Sequence, residues 1–202
     1  MITVHHLKQS RSKRVLWLLE ELSMPFELVV HDRDPQTRLA PASLKAIHPL
    51  GKAPIIIDEN VTLCESGSIM EYILEKDSDN RLRPTKDSPD YYAYLEWLHF
   101  AEGSFALPVI TTMLLNMETR SGNQALDLYI GKELGLDLGY IESTLSQRRY
   151  FAGTEFTAAD IMMTVVLEFA DNLKLLENCP KIQAYLKTVQ QRDAYQKAAK
   201  HV

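Results

Sequence analysis

The feature that most limits the fold is a change of texture partway along the chain. Up to about residue 76, β-branched runs alternate with helical spacing, whereas after residue 88 no run reads as a strand. Ile2–Leu7 is a short strand pattern. Val15, Leu18, Leu19 and Leu22 then recur at i, i+3, i+4 and i+7, which places them on one face of a helix closed by Met24-Pro25. Phe26–His31 is a second strand, Pro54-Ile-Ile-Ile a third and Val61–Cys64 a fourth, with Asp58-Glu-Asn turning between the last two. Ser66–Lys76 resumes helical spacing through Ile69, Met70, Ile73 and Leu74. The order βαβ, connection, ββα implies a mixed four-stranded sheet with helices packed on it.

Asp77–Lys86 is polar, contains Arg83-Pro84 and has no period, so it reads as a linker. Ser88-Pro89-Asp90 has the composition of a helix start. Helical patterns follow over roughly 89–118, 124–148, 158–173, 181–191 and 194–200. The expected division is therefore 1–78 for an α/β domain, 79–87 for a linker and 88–202 for an all-α domain. Within the latter, Phe156-Thr157-Ala158-Ala159-Asp160-Ile161 reads as a capping box, with Thr157 as N-cap, Asp160 reaching back, and Phe156 and Ile161 at the staple positions. That motif is structural.

Composition excludes several classes of function. A net charge of -5 without a basic stripe argues against a nucleic-acid binder. The N-terminus lacks a signal-like apolar core, and the longest apolar regions, such as Leu107–Leu115 and Ile161–Leu167, fall short of the roughly 20 residues of a membrane span. Cys64 and Cys179 are far apart and form no CxxC, against a disulfide framework, a zinc ribbon or a dithiol redox site. A reduced, cytoplasmic setting is expected. Glu96-x-x-His99 is half of a di-iron signature without its second half, and reads as a packed or solvated pair. His5-His6 alternates across a strand and is poorly placed to chelate one ion. Cys64 is expected in the core.

Four segments are specific when taken together. They are Leu7-Lys-Gln-Ser10-Arg-Ser12-Lys-Arg14-Val-Leu-Trp17, His48-Pro-Leu-Gly-Lys52-Ala53-Pro54, Leu63-Cys-Glu65-Ser66-Gly-Ser-Ile69-Met-Glu-Tyr72 and the Phe156 to Asp160 cap. In order and spacing they resemble the cytosolic glutathione transferase family, of the serine type found in bacteria and fungi, over nearly the whole chain. The resemblance implies a thioredoxin-like glutathione-binding domain followed by a helical domain that shapes the site of an electrophilic, apolar acceptor.

The chemistry suits these residue types. A thiol is mostly protonated at neutral pH, and the thiolate is the nucleophile. Lowering its pKa by two units takes about 2.7 kcal/mol of preferential stabilisation. A hydroxyl donor and the positive end of a helix can provide that together. Ser10, where a strand hands over to a helix, is the expected donor to the glutathione sulfur, as a stabiliser and not a base. Ser12, nearer the helix, is the rival and the better candidate for the helix cap; alignment on Arg14 places Ser10 at the family's serine.

The resemblance further implies that Pro54 follows a cis bond, against the base rate for X–Pro, and that the backbone of Ala53 meets the cysteinyl part of glutathione. Ser66 and the helix start would hold the γ-glutamyl carboxylate while Glu65 meets its ammonium. Lys52 matches a position near the glycine carboxylate, for which Arg38 is a weaker candidate, and His48 stands where Asn is usual. Phe105 and Ile110 are candidates for the acceptor side. No metal or tightly held cofactor is implied; glutathione is a co-substrate, and a homodimer is expected. The rivals are glutathione-dependent reduction of peroxides or disulfides, and a non-catalytic binding module.

Overall fold

A computed structural model describes residues 1–201; Val202, the last residue of the expected second domain, lies outside the described residues. The chain forms two compact units, Met1–Arg81 joined by the stretch from Gln190 onward, and Leu82–Val189.

The first unit is built on four strands, β1 (Ile2–Leu7), β2 (Phe26–His31), β3 (Ile55–Asp58) and β4 (Val61–Cys64), in the order β2-β1-β3-β4. Strand β1 runs parallel to β2 and antiparallel to β3, and β3 pairs antiparallel with β4. Helices α1 (Lys13–Glu21) and α2 (Ser66–Lys76) complete the βαβ and ββα halves. The central strand β1 is buried on both faces: Val4 and His6 belong to one set of alternating positions, His5 and Leu7 to the other. Leu7 and Ile55 pack with Leu44 of a short 3₁₀ turn, Ala42–Ala46. Cys64, expected in the core, is half-buried at the margin of this cluster.

The sequence marks one apolar face on α1, yet Leu16 and Trp17 are as buried as Val15, Leu18 and Leu19. The cover is α8 (Asp193–Ala199). Trp17 meets Tyr195 edge-on at 5.0 Å, Lys13 Nζ donates to the Tyr195 hydroxyl at 2.9 Å, and Arg192 forms a bidentate pair with Glu21 at 2.6 and 2.7 Å. The segment from Gln190 groups with the α/β unit and not with the helices before it. A seven-residue helix is unstable alone, so its position is decided by the apolar surface it covers.

Buried Asp58 ties the end of β3 to α2. It pairs with Lys76 Nζ at 2.8 Å and accepts from the Tyr72 hydroxyl at 2.9 Å. The hydrogen-bonded Lys76 ammonium holds its carboxyl below the usual range, against burial and with the help of Tyr72. A depressed pKa contributes stability above the unfolded value near ~3.9 that is lost as pH falls through the folded pKa. The urea midpoint should therefore fall as pH drops below about 4. An Asp58→Asn variant should start lower at neutral pH and lose part of that acid dependence; an unchanged acid limb would contradict this role.

The second unit contains α3 (Tyr91–Phe100), a π-helical turn (Ala101–Phe105), α4 (Ala106–Leu115), α5 (Ala125–Gln147), α6 (Ala158–Asn172) and α7 (Pro180–Val189). The helix expected from Ser88 starts later, at Tyr91. Ser88 Oγ accepts from the Asp90 amide at 3.2 Å, so Ser88-Pro89 forms a turn ahead of it. The widened turn precedes Pro108, which has no N–H for the carbonyl of residue 104. Tyr91–Leu115 is continuous, and by length and composition it is long and apolar enough to cross a membrane, although its apolar region Leu107–Leu115 is short. It carries Glu96, His99 and Glu102, and buries Tyr94, Trp97, Leu98, Ala101, Phe105 and Val109 inside the protein.

The N-termini of three later helices are satisfied by side chains. Gln124 and Asp127 box the start of α5, as Thr157 and Asp160 do for α6. Glu142 of α5 accepts the first amides of α7, Lys181 N at 2.8 Å and Ile182 N at 3.0 Å.

Candidate functional site

The strand registers bring the expected site residues to one end of the sheet. His5 of β1 lies opposite Ile55 of β3, and Ile55 lies opposite Cys64 of β4. The residues leaving β1, entering β3 and leaving β4 are therefore neighbours. These are the Ser10 turn, Ala53-Pro54 and Glu65-Ser66. Lys52 is exposed beside them.

Ser10 is half-buried in the turn between β1 and α1. Its hydroxyl lies 2.7 Å from Leu7 O and 2.7 Å from Ser12 Oγ, and it accepts the Ser12 amide at 3.2 Å. Ser12 occupies the N-cap position of α1 but makes no side-chain capping bond. Its hydroxyl turns back into the core, accepting from Leu7 N at 3.2 Å and meeting His6 Nδ1 at 2.7 Å. It is fully buried. Of the two serines, Ser10 is the one with open surface.

The Ala53–Pro54 bond is cis. The turn before it depends on Gly51, whose φ of +57° is the left-handed conformation that glycine adopts most readily, and a Cβ there would stand 2.5 Å from Lys45 Cγ. His48, in the place of the more usual Asn, accepts the Leu50 amide on Nδ1 at 3.3 Å. An imidazole nitrogen thus does what an Asx side chain does in such turns.

Glu65 is exposed and has φ +83°, ψ +115° just before α2. A non-glycine residue held at positive φ is costly, and such positions cluster at ligand sites. Ser66, the first residue of α2, is buried, and its Oγ accepts from Arg14 Nη1 at 3.0 Å. Because that bond uses a lone pair, the Ser66 hydrogen stays available to an anion. The guanidinium of Arg14, itself fully buried, adds positive charge beneath the helix start. Sequence reasoning used Arg14 only to fix an alignment and missed this role. The available signal was its spacing: Arg14 lies four residues before Leu18, on the apolar stripe.

Other candidates fare differently. Arg38 is turned to Gln9, with Nη2 3.2 Å from Oε1, and helps to hold the Ser10 turn. Arg33 does the same through the carbonyls of Lys8 and Gln9. Phe105, a candidate for the acceptor side, is fully buried, whereas Ile110 is partly exposed. Glu96 accepts from the Tyr140 hydroxyl at 2.5 Å, which accounts for it as a packed helix residue.

The site can thus offer one hydroxyl to a sulfur and a helix start with a buried cation to a carboxylate. Known proteins resemble the chain as a whole. Residues 4–81 match the family model described as the glutathione S-transferase N-terminal domain, and residues 105–197 the C-terminal domain. Glutathione S-transferase 3 of Schizosaccharomyces pombe is 35% identical, over 100% of this chain and 88% of its own length. Glutathione S-transferase 1 of Saccharomyces cerevisiae is 29% identical over 96% and 92%. Among solved structures, a glutathione S-transferase from Actinobacillus pleuropneumoniae superposes with a TM-score of 0.88 at 32% identity, covering 99% of this chain and 92% of its own. A family member from Pseudomonas fluorescens, solved with two glutathione molecules bound, shares the fold with a TM-score of 0.82 at 22% identity, over 98% and 91%.

Proposed function

The chain belongs to the glutathione S-transferase family, and on that premise we propose that it binds glutathione in its α/β unit and adds the thiolate to an electrophilic, apolar acceptor. The observation that carries this reading is the convergence of Ser10, the cis Ala53–Pro54 bond and the Glu65-Ser66 helix start at one end of the sheet.

In this reading Ser10 donates to the sulfur and lowers the thiol pKa. Ala53 offers its backbone to the cysteinyl residue. Ser66 and the amides opening α2 hold the γ-glutamyl carboxylate above Arg14, and the exposed carboxylate of Glu65 meets the ammonium. Lys52 attracts the glycine carboxylate from the surface. Binding energy from these remote contacts fixes the sulfur in place, so the residues divide into one that acts on the reacting atom and several that hold the tripeptide.

The test is conjugation of glutathione to a chloronitrobenzene, together with retention on immobilised glutathione. Ser66→Ala should raise the glutathione KM about tenfold with little change in kcat, the pattern of a lost ground-state contact. Turnover of peroxides or disulfides without conjugation would favour a reductase instead, and retention without turnover a binding module.

We also propose a homodimer and a cytoplasmic setting. Large apolar side chains on α5, including Leu128 and Leu136, are exposed and suit burial against a second copy; sedimentation reads the dimer directly. Both cysteines are free thiols, in keeping with a reducing compartment.

A further inference from the structure

Ser10 ends a line of short hydrogen bonds that runs into the core. Ser10 Oγ is 2.7 Å from Ser12 Oγ, Ser12 Oγ is 2.7 Å from His6 Nδ1, and His6 Nε2 is 2.7 Å from the backbone carbonyl of His201. His6 and Ser12 have no exposed surface.

The positions of the hydrogens follow from what each atom can do. A carbonyl only accepts, so His6 Nε2 carries a hydrogen. In a neutral ring Nδ1 is then bare and takes the Ser12 hydrogen. Ser12 Oγ can in turn accept the Ser10 hydrogen, for which Leu7 O is an alternative acceptor. In this resting order Ser10 Oγ is free to accept from a thiol. A bound thiolate demands the reverse, because Ser10 must then donate to the sulfur. With Ser12 still donating to His6, two bare lone pairs would face each other across 2.7 Å. If Ser12 turned to Ser10, a buried Nδ1 would lose its donor. Moving the ring hydrogen to Nδ1 would set bare Nε2 against the His201 carbonyl. One arrangement keeps every bond of the line: His6 with hydrogens on both nitrogens, Ser12 donating to Ser10, and Ser10 donating to sulfur, while the Leu7 carbonyl, 2.7 Å from Ser10 Oγ and 3.1 Å from Ser12 Oγ, gives up its hydroxyl donors.

We infer that His6 takes up the proton of the glutathione thiol, relayed through Ser10 and Ser12, as the thiolate forms. The inference rests on the reading of Ser10 given above. The S–H bond breaks and its electron pair stays on sulfur. Ser10 Oγ gains that proton and passes its own to Ser12 Oγ, which passes its own to Nδ1. Thiol and neutral imidazole become thiolate and imidazolium, with no other reactant. Neither Ser12 nor His6 touches the sulfur; both are positioning residues acting through Ser10.

The surroundings make the charge on His6 conditional. Burial lowers its pKa most, and Lys8, His31 and His201 oppose a positive charge, while the hydrogen bond to the His201 carbonyl favours it. Without an anion at Ser10 these surroundings favour the neutral ring. Once the sulfur is alkylated the counter-charge is gone, and the proton returns through Ser12 and Ser10 to water.

The experiment follows His6 by ¹⁵N NMR of the full protein with glutathione and with S-methylglutathione, which has no thiol proton. It also titrates the ultraviolet absorbance of the bound thiolate against pH in wild type, Ser12→Ala and His6→Phe. Glutathione should protonate both ring nitrogens of His6, and S-methylglutathione should leave one bare. Each variant should hold about tenfold less thiolate at a given pH below the thiol pKa, with its glutathione KM within about twofold of wild type. Ser12→Ala removes one oxygen and keeps the test open if His6→Phe fails to fold. A singly protonated His6 beside a bound thiolate, or a Ser12→Ala titration equal to wild type, overturns the inference while the role of Ser10 stands. A wild type that forms no thiolate overturns both.

Discussion

Replacing Ser10 with alanine should lower kcat for glutathione conjugation about a hundredfold while leaving the glutathione KM within about twofold. A hydrogen bond to a charged group contributes roughly 1.5–3 kcal/mol, and each ~1.4 kcal/mol is tenfold in rate. The bond at issue is stronger in the thiolate than in the thiol, so its loss falls on the reactive state. The tripeptide should still bind through Ser66 and the start of α2, which are untouched. The variant's rate should recover as pH is raised through the free thiol's pKa, since base then does what the hydroxyl did. Steady-state kinetics across that range check both points. A Ser10→Ala enzyme with wild-type kcat at neutral pH would remove Ser10 from the chemistry, and the full burial of Ser12 would leave no second hydroxyl in its place.

The largest stability effect is expected at Asp160. Its carboxylate accepts Phe151 N at 3.0 Å, Thr157 N at 2.9 Å, Thr157 Oγ1 at 3.0 Å and the Tyr185 hydroxyl at 3.0 Å, with no exposed surface. Burial pushes its carboxyl up to about 6, even though all four donors favour the charged form. One side chain therefore closes the cap of α6 and also holds the segment before that helix and the middle of α7. Asp160→Ala leaves two buried amides unpaired, at about 1–3 kcal/mol each, and removes a cap worth about 1 kcal/mol. A loss of about 3–7 kcal/mol is expected, a large part of the roughly 5–15 kcal/mol typical of a native protein. For a chain of this length that corresponds to about 6–28 °C in the thermal midpoint. Asp160→Asn, which keeps one acceptor oxygen, should fall between the two. Thermal unfolding followed by circular dichroism reads the series, and an alanine variant within about 1 kcal/mol of wild type would show that water replaces the carboxylate.

How far the sequence carried this account depends on which physical signal each element leaves. The order βαβ then ββα was legible because period 2 and period 3.6 are distinct over short runs, as in Phe26–His31 and Ser66–Lys76. The Thr157–Asp160 box was legible because its bonds are local and its residue types are few. The destination of α8 was not. Its seven residues pattern like any short amphipathic helix, and nothing within them names the surface they cover. The missing clue lay in α1, where Leu16 and Trp17 are apolar off the main stripe and so demand a second cover.

The same asymmetry holds at the site. Ser10, Ala53-Pro54 and Glu65-Ser66 stand in motifs, so their neighbourhood could be anticipated before their contacts. The His6–Ser12 line could not, because it joins β1 to the turn before α1 and to the carbonyl of His201. In sequence His6 shows only as a polar residue in register with Val4, at a position that strand alternation marks for the core. Ser12 has the composition of a helix cap, but its hydroxyl turns instead to Leu7 N and His6 Nδ1. Arg14 is a comparable case, a cation on the apolar stripe whose partner, Ser66, comes 52 residues later.

Titration calorimetry with glutathione on the folded protein tests the central claim most directly. The α/β unit should bind the tripeptide with a Kd between about 10 µM and 1 mM, the range of ordinary substrate affinities, and Ser66→Ala should weaken it about tenfold. Absence of any heat of association at millimolar glutathione, in protein whose circular dichroism and thermal midpoint are those of the native fold, would contradict the account.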